Sequence, residues 1–262
     1  MKRNGNGHNE QAQLKAYWQA EEARDFQGWD FSRLSGRMVE QELPWDYREA
    51  VLEHMKDGTT LLDMGTGGGE FLLSLSPPRG STYATEAYLP NVELCKKKLP
   101  AYGIEVRAVE QDEELPFESG MFDMVINRHE SFCIPEVWRV LKPGGLFFTQ
   151  QVGGQNNREL SRFLLGEDAS DTDPGFNLYN TVQELEPHGF SILKQEEYFP
   201  ELTFLDIGAL VQFARIIEWE FPGFTVERCY PQLMRLQNRL QKDGKITTRE
   251  HRFMVIARKP EI

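Results

Sequence analysis

Cysteine, basic charge and long apolar runs are scarce in this 262-residue chain, and each shortage closes off a class of protein. The three cysteines, Cys95, Cys133 and Cys229, are odd in number and far apart, so they indicate neither a disulfide framework nor a zinc site. His8, His54 and His188 are equally dispersed, and no metal-ligand spacing emerges. Lys and Arg number 29 against 41 Asp and Glu, a net charge of −12. An acidic surface works against binding phosphate backbones, so nucleic acid is a disfavoured partner unless a local basic patch overrides the balance. No run approaches the ~18–20 apolar residues that cross a bilayer. Met1 to Gln13 is polar with no apolar core, which is not the pattern of a signal peptide. These shortages lead us to expect a reduced, cytoplasmic, soluble protein with no membrane contact. Neither repeats nor low-complexity segments appear.

What the chain does have is a 40% hydrophobic share and 17 phenylalanines, enough for one large α/β domain with additions or two small ones. Its organising stretch is Leu61 to Leu73. Thr59 to Met64 reads as a short buried strand, Gly65 to Gly69 as a glycine turn, and Glu70 to Leu75 as the opening of a helix. Strand, glycine turn and helix together make a nucleotide site, because the turn lets a ligand approach bare backbone N–H groups. The dinucleotide spacing G-x-G-x-x-G would need glycine at position 70, where Glu70 stands. Asp63, Gly65, Gly67 and Gly69 instead spell Asp-x-Gly-x-Gly-x-Gly.

Further strands follow at Ser81–Thr85, Ile104–Val109, Met121–Ile126 and Leu146–Val152, with helices between them, so the fold class is α/β. The second strand ends in Glu86, 23 positions after Asp63, where a carboxylate can accept hydrogen bonds from ribose hydroxyls. Lys96, Lys97 and Lys98 close the next helix and suit its dipole. An acidic turn, Glu110 to Glu114, precedes Leu115-Pro116-Phe117 and then Phe122-Asp123. Later comes Val140-Leu141-Lys142-Pro143-Gly144-Gly145, a tight reversal into an apolar strand.

The glycine motif, the Leu-Pro-Phe turn before Phe-Asp, and the Leu-Lys-Pro-Gly-Gly reversal together resemble class I S-adenosylmethionine-dependent methyltransferases over roughly Leu61 to Val152. The resemblance implies a Rossmann-like, seven-stranded, mostly parallel sheet with helices on both faces and an antiparallel last strand. It implies S-adenosylmethionine as cofactor, its methionine end held by Asp63, Gly65, Thr66, Gly67 and Gly69, and its ribose by Glu86 with Ala87. The adenine-contacting aspartate of relatives falls on Gln111 here, with Asp112 beside it; either can accept from the adenine amine. Asn127 and Arg128 open the loop that the resemblance places beside the transferable methyl group. If the acceptor is an O–H or N–H, one base must remove a proton. His129 is the first candidate because its ordinary pKa suits the task, and Glu130 is the second. A loop histidine is more often a hydrogen-bonding or positioning residue.

Outside this stretch, residues 1–43 read as an N-terminal helical cap whose first ten residues are disordered, with Trp18, Phe26, Trp29 and Phe31 as an aromatic cluster. The methyltransferase-like domain spans 44–200 and 246–262. A helical insertion, 201–245, precedes the last strand, its helices at Phe204–Trp219 and Tyr230–Lys242; it could cover an acceptor site or form a dimer contact. Thr181 with Glu184 makes a capping box, and Glu167–Gly175 a mobile acidic loop. The expected activity is methyl transfer to a small-molecule acceptor. An RNA methyltransferase, a non-catalytic cofactor-binding scaffold and, more weakly, a nicotinamide oxidoreductase are the alternatives.

Overall fold

The computed structural model describes residues 4–25, 31–169 and 172–261; Phe26 and Trp29 of the expected aromatic cluster lie outside the described residues. In chain order the elements are α1 (Asn4–Glu22), β1 (Met38–Glu40), α2 (Tyr47–His54), β2 (Leu61–Met64), α3 (Glu70–Ser74), β3 (Thr82–Glu86) and α4 (Leu89–Lys98). There follow β4 (Ile104–Ala108), β5 (Phe122–Arg128), α5 (Ile134–Val140), β6 (Leu141–Val152), α6 (Arg158–Leu165), α7 (Leu178–Leu185) and β7 (Ser191–Tyr198). The chain ends with β8 (Glu201–Phe204), α8 (Ile207–Ile216), α9 (Val226–Asp243), β9 (Ile246–Arg249) and β10 (Arg252–Arg258).

Two compact units result. The larger holds residues 43–153, 175–198 and 252–262. Its seven-stranded sheet runs β4-β3-β2-β5-β6-β10-β7, parallel from β4 to β6, with β10 antiparallel to both β6 and β7. Successive residues of each strand serve opposite faces. Leu61, Met124, Ile126, Phe148 and Met254 pack into one core cluster; Leu62, Val125, Phe147, Phe253 and Val255 pack into another. Both faces are therefore buried, as parallel sheets require, and all four residues of β2 are buried. The chain leaves β2 for β3 and β4, then returns to pair β5 on the other side of β2. Ligands of open sheets bind where the strand order reverses in this way, outside the carboxyl ends.

At the opposite strand ends, Asp123 of β5 accepts from the Thr60 backbone N–H at 2.9 Å and from Lys142 at 2.8 Å. The aspartate and lysine of two signature motifs thus tie β2, β5 and β6 together, far from the glycine turn. β6 begins at Leu141, earlier than the reversal suggests, because a register shift lets Leu141 pair with Phe122 before Leu146 pairs with Met124.

The smaller unit holds residues 1–42, 154–174 and 199–251. Its three-stranded antiparallel sheet, β1-β8-β9, and the helices α1, α8 and α9 share one core containing Trp18, Leu34, Phe204, Leu210, Phe213 and Leu233. Residues 1–43 and 201–245, read from the sequence as a cap and a separate insertion, therefore share a core. Helix α1 starts at Asn4, ahead of the expected disorder boundary. It packs on α8 and α9, and Tyr230 donates to Gln11 O at 3.3 Å, so tertiary contact rather than Asn and Gly propensity sets its length.

Three helix boundaries differ from the sequence reading for local reasons. Phe204 belongs to β8, paired with β1 and β9, and Asp206 caps α8 by accepting from Ala209 N at 2.8 Å. Helix α9 starts at Val226, ahead of Tyr230, because Thr225 caps it by accepting from Arg228 N at 3.1 Å, and Pro231 sits inside the helix. Asn177, not Thr181, caps α7, and Thr181 is buried within it. The acidic stretch read as mobile supplies Asp168 to an ion pair with Arg228. Among the described residues no helix is long and apolar enough to cross a membrane.

Trp18→Ala removes a side chain that is 1% exposed in the smaller unit's core, and should lower urea-unfolding stability by about 3–5 kcal/mol. A loss below about 1 kcal/mol would mean that α1 is no part of that core.

Candidate functional site

The glycine turn stands at the carboxyl end of β2. Gly65, Gly67 and Gly69 adopt φ of +67°, +60° and +78°, left-handed values that alternate along the turn. That alternation explains the spacing, since residues with a Cβ are strained there, and Glu70 needs no glycine because it already opens α3. Helix α4 braces the turn from behind. Cys95 Sγ donates to Gly67 O at 3.1 Å, and Lys98 Nζ donates to Gly68 O at 3.0 Å and to Glu70 at 2.6 Å. Leu99 lies 2.8 Å from where a Cβ on Gly69 would stand. Lys98 is thus a strut for the turn as well as a helix-end charge. On Gly67 a Cβ would meet nothing within 4 Å, so that side of the turn is open.

Four acidic residues surround the opening. Asp63, 3% exposed, ends β2; burial raises its pKa to about 7, against the Thr66 hydroxyl and Arg128, which lower it, and with the Glu86 charge adding to the rise. Thr66 Oγ1 is itself buried without a hydrogen bond of normal geometry. Glu86 accepts from Gly67 N at 2.7 Å, Ala87 N at 3.0 Å and Tyr88 N at 2.9 Å. It therefore ties β3 to the turn. Glu130 lies over Gly65, where a Cβ would stand 2.3 Å from its Cγ. Burial raises the Glu130 pKa, the Ser131 bonds oppose the rise, and Asp112 and Glu86 add to it. Ser131 donates to Asp112, which joins the acidic turn to the loop after β5.

That acidic turn is held by residues the sequence reading passed over. Arg107 donates to Pro116 O and stacks 4.5 Å from the Phe117 ring centre. Arg139 donates to Phe117 O at 2.7 Å and Leu115 O at 3.0 Å, while Glu136 accepts from Leu115 N at 2.8 Å. Gln111 stays exposed at the turn's tip, and Asp112 is half-buried. Beyond Glu86 the side chains of Tyr88 and Leu89 are 63% and 72% exposed, an apolar display next to the residue that ties β3 to the turn.

At the tip of β5, Asn127 is fully buried and its side chain is already engaged. It accepts from Thr149 at 3.0 Å and Gln151 at 2.6 Å, and donates to Ser131 O at 3.2 Å. Tyr47 from α2 bonds the Asn127 backbone on both sides. Asn127 thus shapes the loop, whereas Arg128 is exposed, with its guanidinium 4.2 Å from the Phe71 ring centre. His129 has φ +60°, a left-handed value rare outside glycine. The residue is exposed to solvent, yet its packing against the strand tips, then Arg252 and Arg128, hold its pKa below the ordinary histidine value.

The predicted residues Asp63, Gly65, Thr66, Gly67, Gly69, Glu86, Ala87, Asp112, Arg128 and Glu130 thus gather around one turn through bonds or charge interactions. Tyr47, Lys98, Arg107, Arg139 and Gln151 carry no motif. Of these the sequence reading named Lys98, as a charge at a helix end.

Residues 62–149 match the family model described as a methyltransferase domain. A demethylmenaquinone methyltransferase of Thermus thermophilus is 32% identical over 114 residues, covering 40% of this chain and 52% of that protein. A phthiotriol/phenolphthiotriol dimycocerosates methyltransferase of Mycobacterium tuberculosis is 36% identical over 91 residues, 32% of this chain and 33% of its own length. The chain thus spans about half of one curated relative and a third of the other. Among solved structures, a candidate methyltransferase of Bacillus halodurans C-125 superposes with TM-score 0.58 at 19% identity, covering 80% of this chain and 98% of that one. The cyclase SpnF superposes with TM-score 0.53 at 18% identity, covering 84% and 86%. Such identities establish the shared fold alone.

The raised Asp63 pKa has a stability consequence. Its folded value of about 7 lies above the unfolded value of ~3.9, so the unfolded chain loses its proton first and stability falls as pH rises from about 4 to 7. Asp63→Asn lacks this penalty. Chemical denaturation should show the variant gaining on the wild type between pH 4 and pH 8, by on the order of 2–4 kcal/mol; a gap independent of pH would contradict the assignment.

Proposed function

We propose that the chain transfers the methyl group of S-adenosylmethionine to a small-molecule acceptor, a reading supported by the match of residues 62–149 to the methyltransferase-domain family model. The observation that carries this reading is the buried Asp63 carboxyl, its pKa raised by burial, at the switch point beside the open glycine turn. A cationic ammonium is the partner that would ionise such a carboxyl, and the buried Thr66 hydroxyl lies alongside it.

The donor set fits the cofactor's parts. Asp63 takes the ammonium and exposed Arg128 the carboxylate of the methionine end. Glu86 already accepts three N–H bonds, which leaves one of about four acceptor positions for a ribose hydroxyl. Gln111, with Asp112, meets the adenine amine, and the exposed Tyr88 and Leu89 offer its ring an apolar surface. Bound S-adenosylmethionine supplies a methyl on a sulfonium, whose departure as a neutral thioether asks no acid of the protein. The chain's part is to hold the acceptor in line and exclude water, worth about 7–11 kcal/mol when geometry is favourable. Where the acceptor carries a proton, Glu130 or His129 would take it. Of the two, Glu130 has a pKa moved toward neutrality.

Both curated relatives are named for small-molecule acceptors, and the net charge of −12 disfavours RNA. Calorimetry with S-adenosylhomocysteine should give a dissociation constant that Glu86→Ala weakens at least tenfold. Absence of heat at tens of micromolar protein, or undiminished binding by the variant, would sink the reading. Labelled methyl transfer into the small-molecule fraction of a cell extract separates an enzyme from a silent scaffold, and label in the RNA fraction would favour the RNA alternative.

A further inference from the structure

His129 is joined to two residues that the cofactor reading does not use. Trp45, 8% exposed, directs its indole Nε1 to Gln150 Oε1 at 2.8 Å. An indole N–H can only donate, so this contact fixes which end of the Gln150 amide is oxygen. The opposite end, Gln150 Nε2, lies 3.2 Å from His129 Nε2. An amide nitrogen also only donates, so the facing ring nitrogen must accept and carries no proton. Gln150 is itself 7% exposed, and its backbone oxygen accepts from His129 N at 2.8 Å, pinning the left-handed residue from two atoms. The charged groups around the ring, Arg128 before it on β5 and Arg252 of β10, oppose a second proton. The only neighbouring acid in sequence, Glu130, turns its carboxylate to Ser131.

We propose that Trp45 and Gln150 are positioning residues that lock His129 as a neutral imidazole with its proton on Nδ1. Protonating Nε2 would set it against the Gln150 amide hydrogens, so the ring is a hydrogen-bond donor through Nδ1 and a poor proton acceptor. Resting on the proposed function, this gives His129 the task of orienting the acceptor and leaves proton removal to Glu130, or to an acceptor whose own hydroxyl is acidic enough to ionise in water. The lock itself does not depend on that reading.

Histidine nitrogen NMR on the full chain tests it. The His129 signals should show a protonated Nδ1 and a bare Nε2, with no titration between pH 5 and 8. Gln150→Glu places a charged acceptor against Nε2, so His129 should acquire the Nε2 proton and titrate at least two pH units higher than in the wild type. Trp45→Phe, which frees the amide to turn over, should give a mixture of both neutral tautomers. A wild-type His129 that titrates between pH 6 and 7, or bears its proton on Nε2, overturns the proposal; so does a Gln150→Glu variant with an unmoved histidine. Calorimetry with S-adenosylhomocysteine on the same samples keeps the two readings apart, because failure to bind refutes the cofactor assignment while the nitrogen signals still decide the lock.

Discussion

A carboxyl group that must be buried at the tip of the central strand is the constraint on which the rest of this site depends. Asp63 lies between β3 and β5, 3% exposed, where desolvation pushes its pKa to about 7. Leaving it there destabilises the cofactor-free fold at neutral pH, and a hydrophobic residue at the same position would serve the sheet better. The strand tips around it carry further unfavourable features: a left-handed histidine and three more acidic groups, beside a turn that only glycine forms without strain. Such concentration of unfavourable features is expected where a ligand, and not the fold, uses the residues.

Rigidity elsewhere compensates for this strain. The turn is held from behind by Cys95, Lys98 and Leu99 of the α4 region, from the side by Glu86, and the neighbouring acidic turn by Arg107 and Arg139. The buried amide and hydroxyl groups of Asn127, Thr149 and Gln151 satisfy one another, so the β5 tip is set by a closed polar network. A site of this kind is pre-shaped by its supports, with the buried Asp63 carboxyl and the Thr66 hydroxyl facing each other at its centre; on the proposed function these are the groups that meet the ligand.

Much of the sheet was legible in the sequence because its strands are buried on both faces and punctuated by glycine and proline. The turn from Gly65 to Gly69 could be read from backbone requirements alone, and Glu86 from its distance along the chain. What escaped were partnerships across long separations. The use of Phe204 and Ile246 in a small second sheet depends on pairing with β8 and β9 neighbours, which no local window contains. The start of α9 is set by the Thr225 cap, four residues before Cys229, which the apolar stripe of the helix does not mark. Asn127 was legible as a residue near the site, but that its side chain is consumed by Thr149 and Gln151 follows only from the packing of β6 beside β5.

Calorimetry of S-adenosylhomocysteine binding at pH 7 in two buffers of different ionisation enthalpy measures the protons exchanged on binding, and so tests directly whether Asp63 receives the ligand's ammonium. With a free-protein pKa of about 7, roughly half a proton per site should be released as the carboxyl becomes fully ionised, and Asp63→Asn should abolish that release. Binding with no proton released, or with the same release from the variant, would contradict the account.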